Sequence, residues 1–183
     1  MATLHLVRHG QAAAGWDEHA DPGLTELGRA QAEAVAEVLA PLGPLPIITS
    51  TLQRCQETSA PLAARWGTTA RVEPRVAEVP TPDGLDVGDR GPWLHKLLSG
   101  RWSTEAPELE WWRRAVIDCL VALDTDTVVF THFVAINVAI GSVQDDDRVV
   151  IAKPDNCSIT TFTNDGGALA LIDAPAQADT EVL

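Results

Sequence analysis

Leu4-His5-Leu6-Val7-Arg8-His9-Gly10 decides how this chain is read. An apolar run of strand-forming residues stops abruptly at Arg-His-Gly. In open α/β sheets, ligands bind outside the carboxyl ends of the strands. A strand that ends on a reactive side chain and then a glycine is therefore placed to present chemistry. His9 is the candidate nucleophile, and the remaining sequence is read for groups that would serve it.

Outward from that stretch, strands alternate with helices. Residues 3–7 read as a buried strand and residues 11–23 as a loop broken by Gly15, Asp17, Asp21 and Pro22. Residues 24–42 predict an amphipathic helix. Thr25 is its N-cap, and Leu27, Ala34, Val38 and Leu42 form its apolar stripe opposite Glu26, Arg29, Glu33 and Glu37. Gly43-Pro44 stops it. A strand over 46–50 leads into a helix over 51–66, which Pro61 is expected to kink or split near Ser59 before Gly67 ends it. Residues 70–73 are a short strand, and 107–123 a helix with Trp112, Val116, Leu120 and Leu123 inward.

Thr127-Val128-Val129-Phe130-Thr131 predicts a central strand ending at His132, followed by a short helix over 133–140. Asp145-Asp146-Asp147 reads as a solvated turn. Strands over 158–163 and 168–172 are joined by Asn164-Asp165-Gly166-Gly167, a hairpin signal, and the tail from Pro175 to 183 is expected to fray. The pattern predicts one α/β domain over residues 1–183. It is a three-layer α/β/α sandwich: a mainly parallel sheet with helices on both faces and an antiparallel C-terminal hairpin.

Composition narrows the function. The chain has 183 residues, 45% of them hydrophobic and 21% charged, which suits one globular domain. A formal net charge of -13 argues against a nucleic-acid partner, which needs a basic face. It also means that an anionic ligand requires a local positive focus drawn from only 13 Lys and Arg residues. Cys55, Cys119 and Cys157 have neither disulfide-framework nor zinc spacing, so a reducing, cytoplasmic setting is expected. No signal peptide is recognisable, and no apolar run reaches the roughly 18 residues of a membrane span.

In a parallel sheet, His9, the start of the helix carrying Arg54, and His132 share the carboxyl edge, with Arg8 beside His9. Residues 74–100 are rich in Pro and Gly, with a short helix expected near 93–98, and carry Glu78 early enough to hang over the same edge. Arginines fork onto phosphate oxygens. A histidine nitrogen can attack phosphorus and hold the phosphoryl group. A carboxylic acid can protonate the leaving alkoxide and then act as base on water, and a second histidine can stabilise developing charge. No metal-ligand pattern or cofactor motif accompanies the set.

These residues resemble a known family. Leu6-Val7-Arg8-His9-Gly10-Gln11, Leu24-Thr25-Glu26-Leu27-Gly28-Arg29 and Ser50-Thr51-Leu52-Gln53-Arg54-Cys55-Gln56-Glu57-Thr58 are similar to motifs of the histidine phosphatase superfamily, phosphoglycerate mutase-like branch. Thr131-His132-Phe133 and Asn156-Cys157-Ser158-Ile159 continue the resemblance. It implies His9 as the phosphorylated nucleophile and Arg8, Arg54 and His132 as the phosphate pocket, with Gln11 and Phe133 beside it. It implies Glu78 as proton donor, with Asp83, Asp86 and Asp89 as fallbacks.

The family's serine or threonine and asparagine after the glycine are replaced by Ala12-Ala13-Ala14, and no long mutase insert follows Glu78. The reading is a metal-independent phosphatase without a cofactor, acting on a small phosphorylated substrate or a phosphopeptide. Mutase-type phosphoryl transfer and inactive phospho-ligand binding are the alternatives. Specificity is assigned to residues 79–106, as a lid, and to the loop over 11–23. Monomer and homodimer both stay open.

Other readings concern single residues. His5, His19 and His95 read as structural or surface residues. Trp93, Trp102, Trp111 and Trp112 read as packing, with Trp16 and Trp93 as alternative pocket walls. A cysteine phosphatase needs an arginine six residues after its cysteine, where this chain has Pro61, Thr125 and Thr163. Asp124-Thr125-Asp126-Thr127-Val128 resembles the nucleophile motif of the magnesium-dependent haloacid dehalogenase phosphatases. It precedes a strand where that family's motif follows one.

Overall fold

A computed structural model describes residues 1–15, 19 and 21–177. The chain runs β1 (Ala2–Arg8), α1 (Glu26–Leu39), β2 (Ile47–Thr49), α2 (Gln53–Trp66), β3 (Arg71–Val72), α3 (Arg90–Leu98), α4 (Pro107–Val121), β4 (Thr127–Thr131), α5 (Phe133–Gln144), β5 (Ile159–Asp165) and β6 (Ala168–Asp173). The six strands form one sheet in the order β3-β2-β4-β1-β5-β6. β3, β2, β4 and β1 are mutually parallel, β5 is antiparallel to β1, and β6 is antiparallel to β5. This is the expected mainly parallel sheet with its antiparallel hairpin.

Side-chain alternation along the strands divides the core. Leu4, Leu6, Ile48 and Val129 pack with α3, α4 and α5 on one face. Val7, Ile47, Val128 and Phe130 pack with α1 and α2 on the other. β4 is buried along its whole length because both faces are covered. A fully buried side chain such as Phe130 contributes about 1.5–3 kcal/mol through its burial.

Helix α1 departs from its expected register. Gly28, Ala32, Val35, Ala36 and Leu39 form its buried face, whereas Leu27 and Val38 are 54% and 64% exposed and Leu42 is exposed as well. The small residues face inward because the helix start lies against the loop after His9. A Cβ on Gly10 would meet the Gly28 carbonyl oxygen at 2.5 Å, and one on Gly28 would collide with Gln11. Close backbone approach, and not side-chain size, fixes the buried face here. Thr25 is the N-cap as expected, its Oγ1 accepting from the Gly28 N–H at 2.9 Å.

Helix α2 runs through Pro61 without splitting and closes on Gly67, whose φ of 62° is left-handed. The helix after β4 reaches Gln144, longer than expected. The aspartates that follow it are anchored and not merely solvated. Asp146 pairs with Arg148 at 2.6 Å, and Asp147 accepts from Ser103. At the start of the expected tail, Gln177 bridges back to Pro154, and the Ala176 carbonyl accepts from the Asp155 N–H at 3.0 Å. The rest of that expected tail, residues 178–183, lies outside the described residues. No helix among the described residues is long and apolar enough to cross a membrane.

Candidate active site

The parallel strands deliver their next residues to one edge. His9 follows β1, Ser50 follows β2, Glu73 follows β3 and His132 follows β4. The ladder continues one step beyond the strands. The His9 N–H donates to Thr131 O at 3.0 Å, Ser50 N–H to Phe130 O at 3.1 Å and Glu73 N–H to Thr49 O at 2.8 Å. These backbone bonds hold the site's side chains on rigid elements. Thr131 Oγ1 donates to Val76 O at 2.7 Å, which ties the segment carrying Glu78 to the central strand.

His9 is 7% exposed. Its Nδ1 lies 2.8 Å from the Gly10 carbonyl, which can only accept, so Nδ1 carries the proton and Nε2 is the unprotonated, accepting nitrogen. Arg54 Nε donates to that Nε2 at 3.1 Å. Burial, then the Arg54 and Arg8 charges, hold the His9 imidazole well below its ordinary range and keep it neutral; the Gly10 bond opposes them. A neighbouring loop and helix α2 fasten the residue. Asn156 Nδ2 donates to His9 O at 2.9 Å, and the Gly10 N–H donates to Thr58 Oγ1 at 3.0 Å. Asn156 precedes Cys157, whose φ of 56° turns the loop back to hydrogen-bond its N–H to Arg8 O.

Arg8 Nη1 donates to Pro154 O at 2.8 Å, and its guanidinium lies 5.3 Å from the centre of the Phe133 ring. Its Nε is buried with no protein partner. An orphaned donor of this kind calls for an acceptor from a ligand. Glu78 is 8% exposed, and Oε1 accepts from the Val79 N–H at 3.0 Å and the Val134 N–H at 3.2 Å. Burial pushes its carboxyl above the usual carboxylate range, against those N–H groups and the Arg54 and Arg8 charges.

A cavity of about 570 Å³ opens over this edge, lined by Arg8, His9, Arg54, Glu78 and Phe133, with Gln11 toward the mouth. Gln11 Oε1 is already engaged by Thr25 Oγ1 at 2.8 Å. His132 stands differently from the other expected site residues. It is fully buried, 5.1 Å from the His9 ring centre to centre, and does not line the cavity. Its Nε2 is 2.8 Å from Ser50 Oγ and 3.3 Å from Cys55 Sγ. Burial, then Arg54, lowers its pKa well below the ordinary value. Cys55 is buried, and burial raises its thiol far above the ordinary range, which leaves it unreactive.

Among the fallback acids, Asp83, Asp86 and Asp89 do not line the cavity, whereas His19 does. Trp93 packs against the core, and Trp16 lies outside the described residues. Asp124 and Asp126 sit at the start of β4, the edge opposite His9, and Asp126 Oδ1 accepts from the Thr3 N–H. Sequence reasoning did not single out Ser50, Thr58 or Arg90. Ser50 and Thr58 stood inside a recognised motif, whereas Arg90 carried no local signal.

Two arginines, a neutral histidine whose Nε2 accepts from Arg54 and a carboxyl raised above its ordinary range gather at one edge of the sheet. The chain belongs to the histidine phosphatase superfamily (branch 1), whose family model matches residues 4–174. It is 38% identical over 116 residues to a glucosyl-3-phosphoglycerate phosphatase of Mycolicibacterium vanbaalenii, covering 57% of this chain and 52% of that protein. It is 34% identical over 125 residues to a probable phosphoglycerate mutase GpmB of Cronobacter sakazakii, covering 64% and 51% respectively. The chain thus matches about half the length of these curated relatives. Over nearly the whole fold, it superposes on a mycobacterial glucosyl-3-phosphoglycerate phosphatase in complex with inorganic phosphate. That match has a TM-score of 0.75 and 25% identity, and covers 99% of this chain and 100% of that one.

Proposed function

We propose that the chain is a metal-independent phosphatase that hydrolyses phosphomonoesters through a phosphohistidine on His9. The observation that carries this reading is the His9 ring itself: Nδ1 is bound to a carbonyl, and Nε2, on the cavity lining, accepts from Arg54. An incoming phosphate takes over the Arg54 N–H and the orphaned Arg8 Nε–H, which frees the Nε2 lone pair. Nε2 then attacks phosphorus in line as the ester P–O bond breaks, and the Glu78 proton passes to the leaving alkoxide. In the second half, the Glu78 carboxylate takes a proton from water, the water oxygen bonds to phosphorus, and the P–N bond breaks to release inorganic phosphate. His132, behind His9, steadies the His9 ring for the transfer. Residues 79–106 serve as the lid that sets specificity, and the setting is cytoplasmic.

His9→Ala tests the reading with a generic aryl phosphate. The wild type is expected to release inorganic phosphate, and the variant to lose at least about a thousandfold in kcat. Rapid denaturation during turnover should trap an acid-labile, base-stable phosphoprotein on the wild type alone. A wild type as inert as His9→Ala across a broad pH range would leave a phospho-ligand-binding protein. With a phosphoglycerate in place of the aryl phosphate, an isomerised ester without free phosphate would leave a mutase.

A further inference from the structure

In a chain carrying a net charge of -13, arginines are commonly matched by carboxylates. Arg29 meets Glu57, Arg65 meets Glu33 and Glu37, Arg71 and Arg75 meet Glu73, Arg113 and Arg114 meet Glu110, and Arg148 meets Asp146. The three arginines that line the cavity, Arg8, Arg54 and Arg90, form no ion pair among the described residues. A transferring phosphoryl group accounts for Arg8 and Arg54, which come from the sheet edge and contact His9 or its backbone neighbours. It does not account for Arg90. Arg90 opens α3, on the wall of the cavity, and its Nε is buried without a protein partner. One helical turn and two turns further on, Leu94 and Leu98 line the same wall. α3 therefore offers the cavity a guanidinium followed by an apolar strip.

We infer that Arg90 binds a second anionic group of the substrate, a carboxylate or a second phosphate, carried on a short organic body that lies along Leu94 and Leu98. This rests on the phosphatase reading and adds the substrate class. A buried guanidinium donor without a protein acceptor gains charge-assisted bonds from an oxyanion. A monoester without a second anion leaves that donor orphaned in the complex.

The test compares substrates that differ in one group. Phosphoserine is set against phosphoethanolamine, which lacks only the carboxylate. Propane-1,3-diol bisphosphate is set against propyl phosphate for the second phosphate. The wild type is expected to prefer the anionic member of at least one pair by about tenfold to a hundredfold in kcat/KM. The pair that shows the preference names the source of the anion. Arg90→Gln should collapse that ratio, and Arg90→Lys should restore part of it, with both variants checked for a native melting transition. Hydrolysis of the aryl phosphate with no preference in either pair overturns this inference and leaves the phosphatase reading intact. A ratio unmoved by Arg90→Gln does the same. Failure on every ester, the aryl phosphate included, overturns the underlying reading and this inference with it.

Discussion

Glu73 and Glu78 lie five residues apart, after the same edge strand, and both are buried. Their chemistry is opposite. Glu73 is forked by Arg75, with Nε on Oε1 and Nη2 on Oε2 at 2.8 Å each, and receives Arg71 Nη1 at 2.9 Å. Those bonds pull its pKa down to about 2. Among the described residues Glu78 forms no salt bridge and accepts from backbone N–H donors, and burial pushes its pKa up. A carboxylate held by two guanidinium groups is a clamp that keeps its charge. A carboxyl whose charge is poorly compensated is a proton store. Sequence distance does not separate these roles; the placement of arginine does.

The comparison can be broken most forcefully at Glu78. Glu78→Gln is expected to lower kcat/KM, which reports formation of the phosphoenzyme, by about a hundredfold to ten-thousandfold on alkyl phosphates. The loss should be much smaller on an aryl phosphate, whose leaving group needs no proton. Equal losses on both would assign Glu78 a structural role. The wild-type first step should be bell-shaped in pH. Its acid limb, from His9 protonation, should fall below the ordinary imidazole range, and its alkaline limb, from Glu78 ionisation, above the ordinary carboxylate range. The alkaline limb should vanish in Glu78→Gln.

Glu73→Gln should act on stability instead. It is expected to cost roughly 1–3 kcal/mol in denaturant unfolding at neutral pH, without changing the dependence on leaving group. Because the folded pKa is depressed, the clamp's contribution is full above the ordinary carboxylate range and is lost as pH falls toward about 2. The gap between wild type and Glu73→Gln should close over that interval. A gap that persists at the acid end would mean the loss is packing and not charge.

The smallest effect has the opposite sign. The folded pKa of Glu78 is raised, so its favourable contribution is present below the ordinary carboxylate range and is lost as pH rises through the folded value. Glu78→Gln should therefore be somewhat more stable than wild type at neutral pH, though far less active. Equal melting of the two proteins across pH would show that Glu78 is not penalised for its charge.

The floor of the site was largely legible in the sequence. Arg8 and His9 end an apolar strand, Arg54 starts a helix after a strand, and a parallel sheet must bring such positions to one edge. Glu78 was legible from its place just after the third strand and from its family position, since nothing in its own chemistry distinguishes it from Glu73. The buried face of α1 was misread, because Leu27 and Val38 are larger than the glycine and alanines that face inward. Periodicity selects spacing, but a close backbone contact between Gly10 and Gly28 selected the face.

By itself, the sequence determined the α/β alternation, the strand that ends at His9 and the set of residues on the carboxyl edge, because these depend on short-range patterns and on the direction of parallel strands. Only the tertiary structure decided which nitrogen of His9 carries the proton, that His132 lies outside the cavity lining, and that Arg90 has no carboxylate partner among the described residues. Protonation, burial and charge matching depend on which groups are missing nearby as much as on those present, and that is a property of packing between distant segments.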